Sequence, residues 1–197
     1  MSNFRLRDPD CVLIHIPKTG GTSIRKGIWG SHYDGPCFGE IPTDWLPLFK
    51  FAFVRHPLQR FVSAWKMFTE GAKGDPQWSL PADARPLSLE EFFKIVIDES
   101  ILYDERRSSL EEKIRHHTIP QTHPFNCLHL ADHVARYEAY DDEVRVICQR
   151  VGLQVDRVPR MHVTRPSHWS EVLSGPLLEQ VCAYYRTDLE QLGYSAF

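Results

Sequence analysis

Cysteine is sparse in this sequence, and the five present (Cys11, Cys37, Cys127, Cys148 and Cys182) are scattered, with no CxxC among them. An odd, irregular set fits reduced thiols and speaks against a disulfide framework. Long apolar runs are missing as well. Nothing approaches the roughly 18 consecutive apolar residues of a membrane span, and Met1–Asp10 is polar and charged, without the apolar core of a secretory signal. A soluble, cytoplasmic protein is therefore expected. There is no excess of positive charge: the net charge is −3, so no global field recruits nucleic acid or a membrane, and any anion site must be local. Repeats and low-complexity segments are absent. So is the Walker A order GxxxxGK[ST], and no carboxylate ends an apolar strand as Walker B requires. His116, His117, His123, His129 and His133 lie near Cys127, but no HExxH or CxxC gives them zinc-ligand spacing. No metal is expected.

What is present is ordinary in bulk and particular in one place. With 42% apolar and 25% charged residues, the chain has the composition of a single globular domain over residues 1–197. The particular place is Pro17-Lys18-Thr19-Gly20-Gly21-Thr22-Ser23. The apolar residues of Cys11–Ile16 precede it and read as a short buried strand; Ile24 to Trp29 follow and read as the first turns of a helix. A strand running through a glycine pair into a helix turns backbone N–H groups toward an anion, to which Lys18 adds a full charge and Thr22 and Ser23 add hydroxyls. Lys18 precedes both glycines, the reverse of the Walker A order. The stretch is a phosphate cradle of another kind.

Gly30 to Pro47 is rich in glycine and proline and reads as an irregular connection. Lys50–Val54 is a second apolar strand, ending at Arg55-His56-Pro57. Pro57 suits the first turn of a helix, on which Leu58, Phe61, Val62 and Trp65 form an apolar stripe. Gly71–Pro86 is a long loop, either a lid or part of an acceptor site. Ser88-Leu89-Glu90-Glu91 is a capping box opening a helix through Phe92, Phe93, Val96 and Ile97. Pro120 and Pro124 make His116–Gln121 an irregular loop. His133–Tyr137 is a third strand, and Asp141-Asp142-Glu143 opens a helix carrying Val144, Ile147, Cys148 and Val151. One last helix runs from Pro176 to Gly193. Short strands separated by helices imply an α/β domain with a central, mainly parallel sheet flanked by helices.

In such sheets ligands collect at the carboxyl ends of strands, where both the Lys18 loop and Arg55 fall. Ser63 follows Arg55 by eight residues, about two helical turns on. An arginine and a helical hydroxyl suit a second phosphate. Together, Ile16–Ser23 and Val54-Arg55-His56-Pro57 with Ser63 resemble the sulfotransferases that use 3′-phosphoadenosine-5′-phosphosulfate (PAPS), closest to the Golgi-type carbohydrate sulfotransferases and their bacterial relatives. Further segments are similar in order: Leu89-Glu90-Glu91-Phe92, the HxxPQ segment His117-Thr118-Ile119-Pro120-Gln121, Arg136-Tyr137-Glu138, and Tyr184-Tyr185-Arg186-Thr187-Asp188.

The resemblance implies a P-loop nucleotide-kinase-like sulfotransferase fold. It also implies a sulfuryl transfer from PAPS to a hydroxyl acceptor, a glycan or a small molecule. Pro17, Lys18, Thr19, Gly20, Gly21, Thr22 and Ser23 would bind the 5′-phosphosulfate, Arg55 and Ser63 the 3′-phosphate, and Arg165 would close over the nucleotide. Lys18 would offset charge on the departing phosphate. His117 is the expected base, with His116 and Glu40 in reserve. Two other readings stand beside this one: an ATP-dependent small-molecule kinase, and a non-catalytic nucleotide-binding module. Acceptor identity and oligomeric state have no signature in the sequence.

Overall fold

Cys11 to Ile14 and Phe51 to Val54 are apolar at consecutive positions and wholly buried, the pattern of central strands rather than of edges. A computed structural model describes residues 2–30, 32–70, 85–103, 109–161 and 167–196. Among them are the strands β1 (Ser2–Arg7), β2 (Asp10–Ile14), β3 (Tyr33–Phe38), β4 (Phe49–Val54) and β5 (His133–Arg136). The helices are α1 (Pro57–Glu70), α2 (Leu89–Ile97), α3 (Leu110–Thr118), α4 (Tyr140–Arg150), α5 (Gly175–Tyr184) and α6 (Arg186–Gln191). They fall into two compact units, Met1–Arg55 with Gln121–Met161, and His56–Pro120 with His162–Phe197.

The first unit holds the sheet, in the order β3-β1-β2-β4-β5. β2 pairs parallel with β4, and β4 with β5. β1 runs antiparallel to both β2 and β3. The fold is α/β as expected, but the sheet is mixed rather than mainly parallel. Only Asp8 and Pro9 separate β1 from β2, and two residues suffice for a hairpin but not for a parallel crossover. β1 alternates Phe4 and Leu6, which are buried, with Arg5 and Arg7. Arg5 pairs with Asp10 and Asp44, and Arg7 with Asp34. β3 passes through Gly35 and Pro36, tolerable because it is an edge strand.

Beneath the sheet Leu13, Phe51 and Phe53 meet Ile24, Trp29 and the α4 residues Tyr140, Val144, Ile147 and Cys148. Side chains of this size contribute roughly 1.5–3 kcal/mol each when fully buried. Ser23–Ile28 winds as a single π-helical segment, with the Trp29 N–H donating to Ile24 at 2.9 Å. Such wide turns mark strained or functional positions.

The second unit is helical. Capping boxes open α2 (Ser88 with Glu91) and α3 (Ser109 with Glu112). Phe61, Phe68, Phe92, Phe93, Ile114, Val181 and Tyr185 form its core. His116–Gln121 is not wholly a loop: α3 continues through Thr118, so both histidines stand in its last turn. Ile119 turns to ψ 147° just before Pro120, as the residue preceding a proline prefers, and the prolines follow the helix instead of breaking it. Fully buried Arg60 donates to the Ile119 carbonyl at 3.0 Å and the His117 carbonyl at 2.9 Å, a cation at the end of α3 where orphan carbonyls collect. The single C-terminal helix expected from the sequence is two. Tyr185, at ψ 18°, separates α5 from α6 while its buried hydroxyl donates to the Thr118 carbonyl at 2.6 Å. Among the described residues no helix is long and apolar enough to cross a membrane.

Candidate active site

β2 ends at Ile14, and the chain enters the loop through buried Ile16 and Pro17. Lys18 follows at φ +70°, a left-handed conformation rare for a side chain of its size, and Gly20 at φ +87°. The Thr19 hydroxyl donates to the Ile16 carbonyl at 2.7 Å, which closes the turn and commits that side chain to the loop itself. Gly21 has no room for more: a Cβ there would stand 2.0 Å from the His15 ring. Ser23 is buried, and its hydroxyl accepts from the Met161 N–H at 2.9 Å. Thr22 is half-buried.

Two carbonyls of this loop are tied from elsewhere in the first unit. Arg55 Nη1 donates to the Lys18 carbonyl at 3.3 Å. The Tyr140 hydroxyl donates to the Gly20 carbonyl at 2.9 Å, and the Ser23 N–H donates to the same oxygen at 3.0 Å. The Arg55 guanidinium lies 4.5 Å over the Tyr137 ring, and that of Arg160 lies 4.7 Å over Tyr140. Arg160 in turn pairs with Asp141 at 2.8 Å. Burial drives the Tyr140 phenol well above its ordinary range, outweighing the lowering hydrogen bond with Ser23. It stays protonated and therefore a donor.

Arg55 itself is held by Gln121. The fully buried Gln121 amide accepts from the Arg55 N–H at 2.9 Å and donates to the Arg55 carbonyl at 2.8 Å, continuing the strand's hydrogen bonding with one side chain. Asn126 donates to the Gln121 carbonyl at 3.0 Å and is buried with it. Lys18, Arg55, Gln121, Tyr137 and Tyr140 are thus one connected group within the first unit.

Ser63, His116 and His117 belong to the second unit. Ser63 is 5% exposed on α1. His117 is half-buried, its ring edge-on to Phe68 at 5.4 Å. Its Nδ1 lies 2.8 Å from the Lys113 carbonyl. A carbonyl only accepts, so Nδ1 carries the proton and Nε2 is the basic nitrogen. His116 is 2% exposed, with Nδ1 turned to the Tyr103 carbonyl at 2.7 Å. Of the two, His117 is the more accessible. Glu40 and Glu138 are exposed. Arg165 and residues 71–84 of the expected Gly71–Pro86 loop lie outside the described residues.

A strand-end lysine and a glycine pair leading into a helix are features that many anion-binding loops share. The family settles the class. The sulfotransferase family model matches residues 43–195 of the 197. The chain belongs to the sulfotransferase family. Comparison with curated proteins and with solved structures finds no significant match. The matched stretch of this sulfotransferase contains Arg55, Ser63, His116 and His117, and begins downstream of the Pro17–Ser23 loop. Family membership makes the chain a transferase of sulfuryl groups.

Two members of the loop's support were beyond a residue-by-residue reading. Gln121 stands in the HxxPQ segment, so a signal existed, but its role as the clamp on Arg55 did not follow from it. Tyr140 has no local signal, lying 120 residues from the carbonyl it holds. Among the described residues no three His, Cys, Asp or Glu side chains group as a metal site needs.

Proposed function

We propose that this sulfotransferase moves a sulfuryl group from PAPS to a hydroxyl on a sugar or glycoconjugate. The observation that carries the reading is the Pro17–Ser23 loop, in which a lysine is held at φ +70° between a strand end and two glycines in a chain of this family. When bound, PAPS supplies the sulfuryl group: the acceptor oxygen bonds to sulfur as the bond from sulfur to the 5′-phosphate oxygen breaks, and adenosine 3′,5′-bisphosphate departs. Lys18 Nζ offsets the charge on the transferring group and on the departing phosphate. Backbone N–H groups of Thr19 to Thr22, with the Thr22 hydroxyl, bind the 5′ end, while the Ser23 N–H stays on the Gly20 carbonyl and shapes the loop. Arg55 and Ser63 hold the 3′-phosphate, an assignment supported by their spacing of eight residues. His117 takes the acceptor proton at Nε2, since its Nδ1–H is committed to Lys113. Arg165 completes the nucleotide site. All five cysteines are free, which supports a reducing compartment, the cytoplasm.

Calorimetry with adenosine 3′,5′-bisphosphate, adenosine 5′-monophosphate and ATP tests the donor. The bisphosphate is expected to bind tightest. Tighter binding of ATP, or indifference to the 3′-phosphate, would overturn the reading. A labelled-sulfate transfer screen over sugars, glycolipids and small alcohols then identifies the acceptor, and sulfation of none of the sugars would remove the carbohydrate assignment.

A further inference from the structure

A trans peptide is planar, with its C=O and N–H pointing in opposite directions. The peptide bonds of the Lys18–Gly21 loop are all trans. Tying the Lys18 carbonyl to Arg55 therefore turns the Thr19 N–H away from Arg55. Tying the Gly20 carbonyl to Tyr140 turns the Gly21 N–H away from Tyr140. The two tethers set the direction of two donors that make no use of their own side chains.

We propose that Tyr140 is a positioning residue of the donor site: by holding the Gly20 carbonyl it aims the Gly21 N–H at the 5′-phosphosulfate end of the nucleotide. The inference rests on the PAPS reading for the ligand's identity. The anchor is rigid. The Tyr140 ring is 1% exposed, packs against Phe53 at 5.0 Å and lies beneath Arg160. The fit is close as well, because a Cβ on residue 20 would stand 2.5 Å from the Tyr140 ring, so glycine alone lets the carbonyl reach the phenol. The Gly20 oxygen also accepts the Ser23 N–H, so the hydroxyl orients a peptide that local structure already bends.

Tyr140→Phe removes the hydroxyl and keeps the ring. Calorimetry on parent and variant uses adenosine 3′,5′-bisphosphate, adenosine 3′-monophosphate and inorganic pyrophosphate. Bisphosphate and pyrophosphate are expected to weaken about tenfold, the worth of one hydrogen bond to a charged group's cradle, with 3′-monophosphate unchanged. Equal weakening of bisphosphate and 3′-monophosphate makes Tyr140 merely structural and overturns the proposal, as does no weakening at all. If the parent binds pyrophosphate but not bisphosphate, and the variant loses pyrophosphate, the PAPS reading falls while the role of Tyr140 stands. If the parent binds none of the three, both fall. Should the variant fail to fold, the Gly21 amide resonance of the parent decides: it is expected to shift on adding pyrophosphate, and an unmoved resonance overturns the proposal.

Discussion

Lys18 combines two demands that rarely meet in one residue. Its charge suits the chemistry, while its backbone at φ +70° suits glycine, a conformation that costs about 1–3 kcal/mol for other residues. Lys18→Gly should therefore separate the two. The variant is expected to be more stable by about 1 kcal/mol once glycine's greater chain entropy is deducted, yet slower in transfer by roughly 10²–10³-fold, as when one transition-state donor is removed. Thermal melts and single-turnover rates check both halves; a variant no more stable than the parent shows that no strain resides there. His117 is the second residue-scale test. His117→Ala should lower kcat by roughly 10²–10⁴-fold, the usual range for a lost general base, and leave bisphosphate affinity unchanged. Near-normal turnover would move the proton to Glu40 or His116. Lys18 was legible because residue order alone distinguishes this loop from Walker A. Its left-handed backbone was not, because lysine has no local preference for it, and Arg55 holds the carbonyl from 37 residues away.

Among elements, the sheet's parallel half followed from apolar runs and its antiparallel half did not. β1 has only Phe4, Leu6 and the buried amide of Asn3 turned inward, too few apolar residues to stand out in a charged segment. β3 contains Gly35 and Pro36, which argue against a strand unless its position at the edge is already known. The start of β5 is pinned by a buried cation. Lys50 is 7% exposed, and its Nζ donates to the Leu46 and Leu48 carbonyls at 2.9 and 2.8 Å and meets Asp132 at 2.9 Å. Asp132 also accepts the Lys50 N–H at 2.8 Å. The Lys50 side-chain hydrogen bond is the largest influence and depresses the Asp132 pKa; desolvation opposes it, and the Lys50 backbone bond and charge add to the lowering. A depressed carboxyl contributes stability that is present above the unfolded value of about 3.9 and lost as pH falls through the folded one. Asp132→Asn should cost roughly 1–2 kcal/mol at neutral pH, the bracket for a half-exposed partner of a charged donor, and the deficit should shrink below about pH 4. Urea melts across pH 3–7 measure it, and a constant deficit would contradict the charge-based account.

For the molecule as a whole, ligand binding and stability are linked. At one hundred times its Kd, a ligand specific for the native state adds about 2.7 kcal/mol, which for a chain of this size raises Tm by roughly 5–10 °C. Adenosine 3′,5′-bisphosphate is expected to give that rise in a scanning melt, with adenosine 5′-monophosphate at equal concentration giving less. Equal shifts would indicate that the 3′-phosphate is not read. The division into units was not legible at all. The sequence has no linker composition at Arg55–His56, Pro120–Gln121 or Met161–His162, and a chain that leaves and re-enters each unit offers no composition shift to detect.

The sequence by itself determined what depends on neighbours within about four residues: the apolar runs of β2 and β4, the capping boxes of α2 and α3, and the order of Lys18 before its glycines. Family membership was legible for the same reason, carried by short ordered motifs. Only the tertiary structure decided which groups meet across the chain. Arg55 reaches the Lys18 carbonyl, Gln121 grips Arg55 from 66 residues off, and Tyr140 holds Gly20 from 120. These contacts form because buried polar groups must find partners wherever packing brings them, and packing answers to the whole chain. The Pro17–Ser23 loop was legible in the sequence by its composition. Its conformation is held by residues that the sequence places far from it.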